Sequence, residues 1–180
     1  MHTHNPRSSC EVKVIDLGSS CFVTDHLSSY VQSRSYRAPE VILGLPYDPR
    51  VDIWSLGCIL AEMASGYVLL QNDSLATLLA RLEGVLGPLP EWMVAAGRYA
   101  PRFYTKRRQL YERNAASGRY ELLVPKRSSL RARVPEADDG FLSFVSFLLT
   151  ADPRKRPTAA EALAHPWLRF PYPPVEPHQD

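Results

Sequence analysis

Apolar residues recur at helical spacing in three stretches of the chain. Leu75, Leu78, Leu79, Leu82, Val85 and Leu86 predict an amphipathic helix over 74–86, capped by Asp73 or Ser74 and stopped by Gly87-Pro88. In residues 52–63, Ile53, Trp54, Leu56, Ile59, Leu60 and Met63 cover most of a helical circumference. That predicts a central helix buried nearly all round, with Asp52 at its start to cap free backbone donors. Residues 139–149 read as a third, apolar helix. Thr158-Ala159-Ala160-Glu161 is a capping box that opens another, with Ala162 and Leu163 packing inward. That helix ends near His165-Pro166-Trp167, where His165 and Trp167 read as packing residues. A strand is predicted only over 11–15, where Val12, Val14 and Ile15 are β-branched and Lys13 should point away from the core. Residues 16–38 have few apolar positions and read as a mobile loop, and residues 1–10 as a disordered terminus. The tail over 171–180 holds Pro171, Pro173, Pro174 and Pro177 and reads as extended.

Composition narrows the class. A chain of 180 residues, 45% hydrophobic and 22% charged, suits one globular domain rather than a disordered segment. Three cysteines, Cys10, Cys21 and Cys58, are odd in number and lack a CxxC pair, which favours a reducing compartment over a disulfide framework or a zinc site. His2 and His4 have no further ligand spaced to join them. No apolar run approaches the roughly 20 residues a bilayer needs, and the first ten residues lack a signal-peptide core. An intracellular address, cytoplasmic or nuclear, is expected. A net charge of +2 does not demand a nucleic acid or an anionic membrane. Charge is uneven, however. Over residues 98–133 eleven basic residues face only Glu112 and Glu121, with Tyr99, Phe103, Tyr104, Tyr111 and Tyr120 interleaved. Such a stretch could meet acidic protein segments or, the weaker reading, nucleic acid, but its composition favours a solvated, partly packed insertion over either.

Chemistry concentrates in residues 12–40. Asp16 ends the predicted strand and Gly18 follows, so a flexible glycine can aim the carboxylate out of a rigid element towards a cation. Tyr36-Arg37-Ala38-Pro39-Glu40 closes the stretch. Asp16-Leu17-Gly18 resembles the DFG triplet of protein kinases, and Ala38-Pro39-Glu40 is similar to their APE triplet. Asp52-Ile53-Trp54-Ser55-Leu56-Gly57 and Asp152-Pro153-Arg154-Lys155-Arg156-Pro157-Thr158 resemble later kinase motifs, and the four in this order are specific. Ser29-Tyr30-Val31-Gln32-Ser33-Arg34-Ser35-Tyr36-Arg37 resembles the activation segment of the dual-specificity tyrosine-regulated kinases (DYRK) of the CMGC group, most of all plant and algal members. Phe103-Tyr104-Thr105-Lys106 and Leu123-Val124-Pro125-Lys126-Arg127 look like the DYRK form of the insert that marks that group.

The resemblance implies a mainly α fold, the C-terminal lobe of a protein kinase over residues 11–170, with an activation segment at 16–40 and an insert at 88–138 that docks other proteins. It implies ATP and magnesium as cofactors, with Asp16 as a metal contact. Tyr30 would be phosphorylated by the kinase itself, and Arg34 and Arg37 are the available forks for its phosphate. Ser33 would lie beneath a serine or threonine acceptor, Asp52 would hold the catalytic-loop backbone, and Glu40 would pair with Arg156. Leu17 stands where a phenylalanine is usual. The chain contains no GxGxxG loop, no VAIK lysine and no HRDxxxxN catalytic loop. Lys13 therefore reads as an exposed lysine. The 180 residues alone are expected to be inactive, with apolar surface bared on the central helix. Two readings stay open: the C-terminal part of a Ser/Thr or dual-specificity kinase, or a non-catalytic binding module derived from one.

Overall fold

The computed structural model describes residues 12–22 and 31–169. Seven helices and one two-stranded antiparallel sheet are found among them. Helix α1 (Pro39–Leu43) has proline at its first position, where no backbone N–H is needed, and all five residues are buried. It ends at Gly44, in the left-handed conformation (φ 71°) with the Tyr99 ring against it; an added Cβ would lie 2.5 Å from that ring.

Helix α2 (Arg50–Ser65) is the central rod. Val51, Ile53, Trp54, Cys58 and Ala61 are buried, with Trp54 fully inaccessible. Burial pushes the Cys58 thiol up to about 12, so it behaves as a small apolar residue. The expectation of all-round burial fails on one face: Leu56, Ile59 and Met63 are 39%, 42% and 76% exposed. That face is the bared apolar surface which the sequence also led us to expect. The helix starts earlier than predicted, and Asp52 does not cap it. Instead Asp48 Oδ1 accepts the Arg50 N–H at 2.8 Å, while Asp52 lies in the first turn and is exposed.

Helix α3 (Leu75–Leu86) is capped by Ser74, one of the two residues expected there, which forms a capping box with Thr77, and its apolar stripe of Leu78, Leu79 and Leu82 is fully buried. Below it, the Tyr104 phenol donates to Glu83 Oε1 at 2.7 Å. Burial raises the Glu83 carboxyl above its ordinary value of 4.5, against the pull of the Tyr104 hydrogen bond. The folded form thus holds that proton more tightly than the unfolded chain. Its contribution to stability is complete below the unfolded value and is lost as pH rises through the folded one. Glu83→Gln is expected to flatten that part of the pH–stability curve, measurable as thermal melts between acidic and neutral pH.

Helix α4 (Glu91–Ala96) leads through a 3₁₀ turn (Ala100–Arg102) to strands β1 (Tyr111–Arg113) and β2 (Tyr120–Leu122). The register pairs Tyr111 with Leu122, Glu112 with Glu121 and Arg113 with Tyr120. Periodicity did not reveal this hairpin, since its strands are three residues long and barely buried. The strand that was predicted does not form: residues 12–16 have no ladder partner, and Val12, Val14 and Ile15 are exposed beside Lys13. A β-branched run needs a neighbouring strand to become one, and none among the described residues offers it.

Helix α5 (Leu130–Arg133) precedes α6 (Asp139–Leu148), which packs along α2. Asp138 caps α6, its Oδ1 accepting the Phe141 N–H at 2.8 Å. Helix α7 (Ala159–Leu163) opens on the Thr158–Glu161 capping box. Ala162 packs inward as expected, but Leu163 is exposed. His165 and Trp167 do pack: Trp167 stacks on Phe144 at 5.2 Å, and His165 lies against Phe144 and Phe147.

Candidate functional site

Two ribbons of chain meet over the N-terminal half of α2. The first is residues 12–22, with Asp16 at its centre. Asp16 has φ 60° and precedes a 3₁₀ turn (Leu17–Ser19), so the left-handed residue here is the acid itself and not Gly18. A Cβ on Gly18 would make only ordinary contact, 3.4 Å from Asp16 Oδ1. The sequence reading therefore put the special backbone two residues too late. Asp16 is exposed.

The second ribbon is residues 31–38, and it is tied down rather than mobile. Gln32 holds the left-handed conformation at φ 66°, costly for a residue with a side chain unless its surroundings over-determine it. They do. Gln32 Nε2 donates to Val51 O at 2.8 Å and to Ser55 Oγ at 2.7 Å, while its Oε1 accepts the Ala38 N–H at 3.0 Å. Ser55 Oγ in turn donates to Tyr36 O at 2.9 Å, and the Tyr36 phenol donates to Glu62 Oε2 at 2.7 Å. That bond to a carboxylate raises the Tyr36 phenol. Gln32 was missed as a functional residue, because no periodicity or charge marks it. Gln32→Ala is expected to cost about 1–1.5 kcal/mol net and to speed amide exchange at Ala38, the N–H left without its acceptor.

The arginines of the second ribbon spend donors on carbonyl groups. Arg34 Nη1 reaches Asp73 O at 2.9 Å from an exposed position. Arg37 is buried, with Nε on Val31 O at 3.0 Å and Nη2 on Gln32 O at 2.8 Å. Tyr30 lies outside the described residues. Ser33 is exposed and precedes the 3₁₀ turn Arg34–Tyr36.

Beyond the ribbon, Glu40 and Arg156 meet in the interior, 0% and 1% exposed. Arg156 Nη1 and Nη2 reach the two Glu40 oxygens at 2.6 and 2.9 Å, a bidentate pair. The same guanidinium donates to Thr150 O at 2.9 Å and Arg50 O at 3.0 Å, and lies 5.1 Å from the Trp54 ring centre. One side chain thereby joins α1, the start of α2 and the loop after α6.

Between the ribbons is a cavity of about 610 Å3, whose lining includes Asp16, Ser33, Tyr36, Asp52, Ser55 and Ile59. It is mostly apolar with a few convergent polar groups, the usual character of a ligand cleft. The described side chains do not build a whole magnesium shell by themselves. That ion asks for octahedral oxygen coordination, and no group of three or more His, Cys, Asp or Glu side chains able to hold a metal occurs among the described residues. Asp16 can supply one contact only, so no step through a nucleotide or a metal follows from these residues.

Residues 3–168 match the protein kinase domain, and the chain belongs to the protein kinase family. It is similar to the putative dual specificity tyrosine-phosphorylation-regulated kinase 3 homolog of Drosophila melanogaster, at 39% identity over 91% of this chain and 22% of that protein. It is also similar to dual specificity tyrosine-phosphorylation-regulated kinase 4 of Homo sapiens (36% identity, 90% of this chain, 31% of that protein) and to dual specificity protein kinase CLK2 of Homo sapiens (38%, 89% and 32%). The chain spans about a fifth to a third of the length of the curated relatives it matches. No described helix is long and apolar enough to cross a membrane.

Proposed function

We propose that the chain is the C-terminal, substrate-facing lobe of a protein kinase that transfers the terminal phosphate of ATP to serine or threonine hydroxyls of proteins, with Tyr30 as its regulatory phosphorylation site. The observation that carries this reading is the fixed ribbon 31–38, bonded to α2 through Gln32 and Tyr36, beside the cavity that also holds Asp16. A protein acceptor must be held still for in-line transfer, and a loop pinned to a buried helix does that. Glu40–Arg156 anchors the ribbon's far end.

Asp16 takes the role of a magnesium contact, and Ser33 lies under the acceptor hydroxyl. Asp52 is exposed at the cavity wall, free to receive backbone donors from a catalytic loop. The general base, the second magnesium ligand and the adenine cleft need residues that this chain lacks. These 180 residues alone therefore transfer no phosphate. The basic insert, residues 88–138, receives protein partners.

The test begins with the genomic sequence upstream of the codon for Met1. We expect an open frame encoding H-x-D-x-x-x-x-N and a glycine-rich loop. Protein made from that frame should phosphorylate Ser/Thr peptides and its own Tyr30, and Asp16→Asn should abolish both. An in-frame stop directly upstream, with a transcript starting at Met1, would sink the catalytic reading.

A further inference from the structure

The β1–β2 hairpin combines three features that no packing role accounts for. The first is an open strand edge. Leu123 N donates to Leu110 O and Asn114 N to Arg119 O, both at 2.8 Å, which places the hydrogen-bonded pairs at 110–123, 112–121 and 114–119. The backbone N–H and C=O groups of Tyr120 and Leu122 therefore point away from β1. The two-stranded sheet ends at β2, and all three β2 residues are exposed. A free edge of this kind is a template for another extended chain.

The second feature is apolar. Tyr111, Tyr120 and Leu122 share one face of the hairpin, and the two rings meet edge to face at 5.6 Å. With Thr105 and Glu121 they line a cavity of about 350 Å3. Tyr120, Leu122 and nearby Val124 are 72%, 56% and 83% exposed. Side chains that could have been polar are apolar where water reaches them.

The third feature is charge. Lys106, Arg107, Arg113, Arg119, Lys126 and Arg127 are exposed around the hairpin. Glu112 and Glu121 are the only acids between residues 98 and 133; both alternate with the tyrosines along the strands, and Glu121 still contributes to the cavity lining.

We propose that β2 is a docking edge for an acidic, extended protein segment, which adds as a third strand, sets an apolar side chain beside Tyr120 and Leu122, and places its carboxylates among the surrounding lysines and arginines. The proposal rests on the insert's reading as a protein-docking surface and names its partner and mode. Main-chain hydrogen bonds along the edge give affinity, alternate side chains give choice, and charge steers the approach. A nucleic acid would satisfy the charge alone. Its backbone has no N–H and C=O ladder to match Tyr120 and Leu122, so the edge favours polypeptide.

The experiment uses the full 180-residue chain and a fluorescein-labelled peptide of about eight residues, the length of a typical strand, alternating glutamate with valine, phenylalanine and isoleucine. Fluorescence anisotropy reads binding, and thermal melts check that each variant is folded. Leu122→Ala removes the side chain only. Leu122→Pro also removes the outward N–H, without touching the ladder to β1. We expect Leu122→Pro to weaken binding about fivefold to tenfold beyond Leu122→Ala, the worth of one backbone hydrogen bond. Arg113→Glu with Arg119→Glu should weaken it further, and added salt should reduce it. In unmodified protein, the amides of Tyr120 and Leu122 should gain protection from exchange when peptide is added. This last readout stands even if a variant fails to fold.

Equal affinities of Leu122→Pro and Leu122→Ala, with no protection at those amides, would overturn strand addition while leaving a docking surface in place. No peptide binding at all would overturn both. Tighter binding of a ten-nucleotide oligo-dT than of the peptide, lost in the Arg113→Glu, Arg119→Glu variant, would replace the polypeptide partner with single-stranded nucleic acid.

Discussion

Arg156→Ala is expected to cost about 3–5 kcal/mol of folding stability, the loss seen when one partner of a buried ion pair is removed. The reason is less the pair's own strength than what its breaking leaves behind. Glu40 would keep a carboxylate with no solvent access and no other hydrogen-bond donor among the described residues. Thr150 O and Arg50 O would lose their donor too, and α1, α2 and the post-α6 loop would lose their common joint. Removing both charges is a different matter. Glu40→Leu with Arg156→Met replaces the pair by apolar groups of similar size, so the double variant should recover a large part of the loss, since such swaps are often neutral or better. Urea denaturation of the chain and of these two variants reads the difference. A melting temperature unchanged in Arg156→Ala would mean that the pair holds nothing together. If the double variant were as unstable as Arg156→Ala, the deficit would be one of packing rather than of uncompensated charge.

What could be read from sequence divides along physical lines. Helices α3 and α6 and the capping box of α7 were legible, because their residues interact within one or two turns and repeat at a spacing that does not depend on the rest of the chain. The central helix was legible as a helix, but its periodicity did not say which face stays bare, since Ile59 and Met63 look the same in sequence whether or not something covers them. The strand over 11–15 misled for the same reason: pairing is a property of two segments, and only one was in view. The hairpin was the converse. Its strands are too short and too exposed to leave a periodic trace, and its identity lies in the bonds across it. In the candidate site, Asp16, Glu40 and Arg156 were found through motifs. Gln32 was not, because its role comes from three bonds to residues 6, 19 and 23 positions away and from a backbone angle that a glutamine rarely adopts. Gly18 drew attention that belonged to the acid before it.

Gly84 sharpens that contrast into a measurable one. It sits inside α3, where glycine is worth about 1 kcal/mol less than alanine in helix propensity. By sequence alone, Gly84→Ala should stabilise the protein. The structure predicts the opposite. A Cβ on Gly84 would lie 2.3 Å from the carbonyl oxygen of Lys126, a backbone atom that cannot swing away as a side chain could. The neighbouring Ser128 N donates to Gly84 O at 2.8 Å, so residues 126–128 are laid directly on the glycine. The seam joins the insert to the helix whose other face carries the core leucines. Relieving the clash requires the insert to back off, breaking that hydrogen bond and loosening the segment on which Lys126 and Arg127 stand. Overpacking of this kind costs about 3 kcal/mol at the upper end of its usual range, so against the propensity gain of about 1 kcal/mol the net loss should be about 2 kcal/mol. The sign alone decides between the two accounts. Chemical denaturation gives the sign, and hydrogen exchange at Ser128 gives the place: that amide should exchange faster in Gly84→Ala, while amides in α6 keep their order of protection. A stabilised variant with unaltered exchange at Ser128 would show that the insert does not rest on α3, and the docking edge would then have no fixed relation to the rest of the fold.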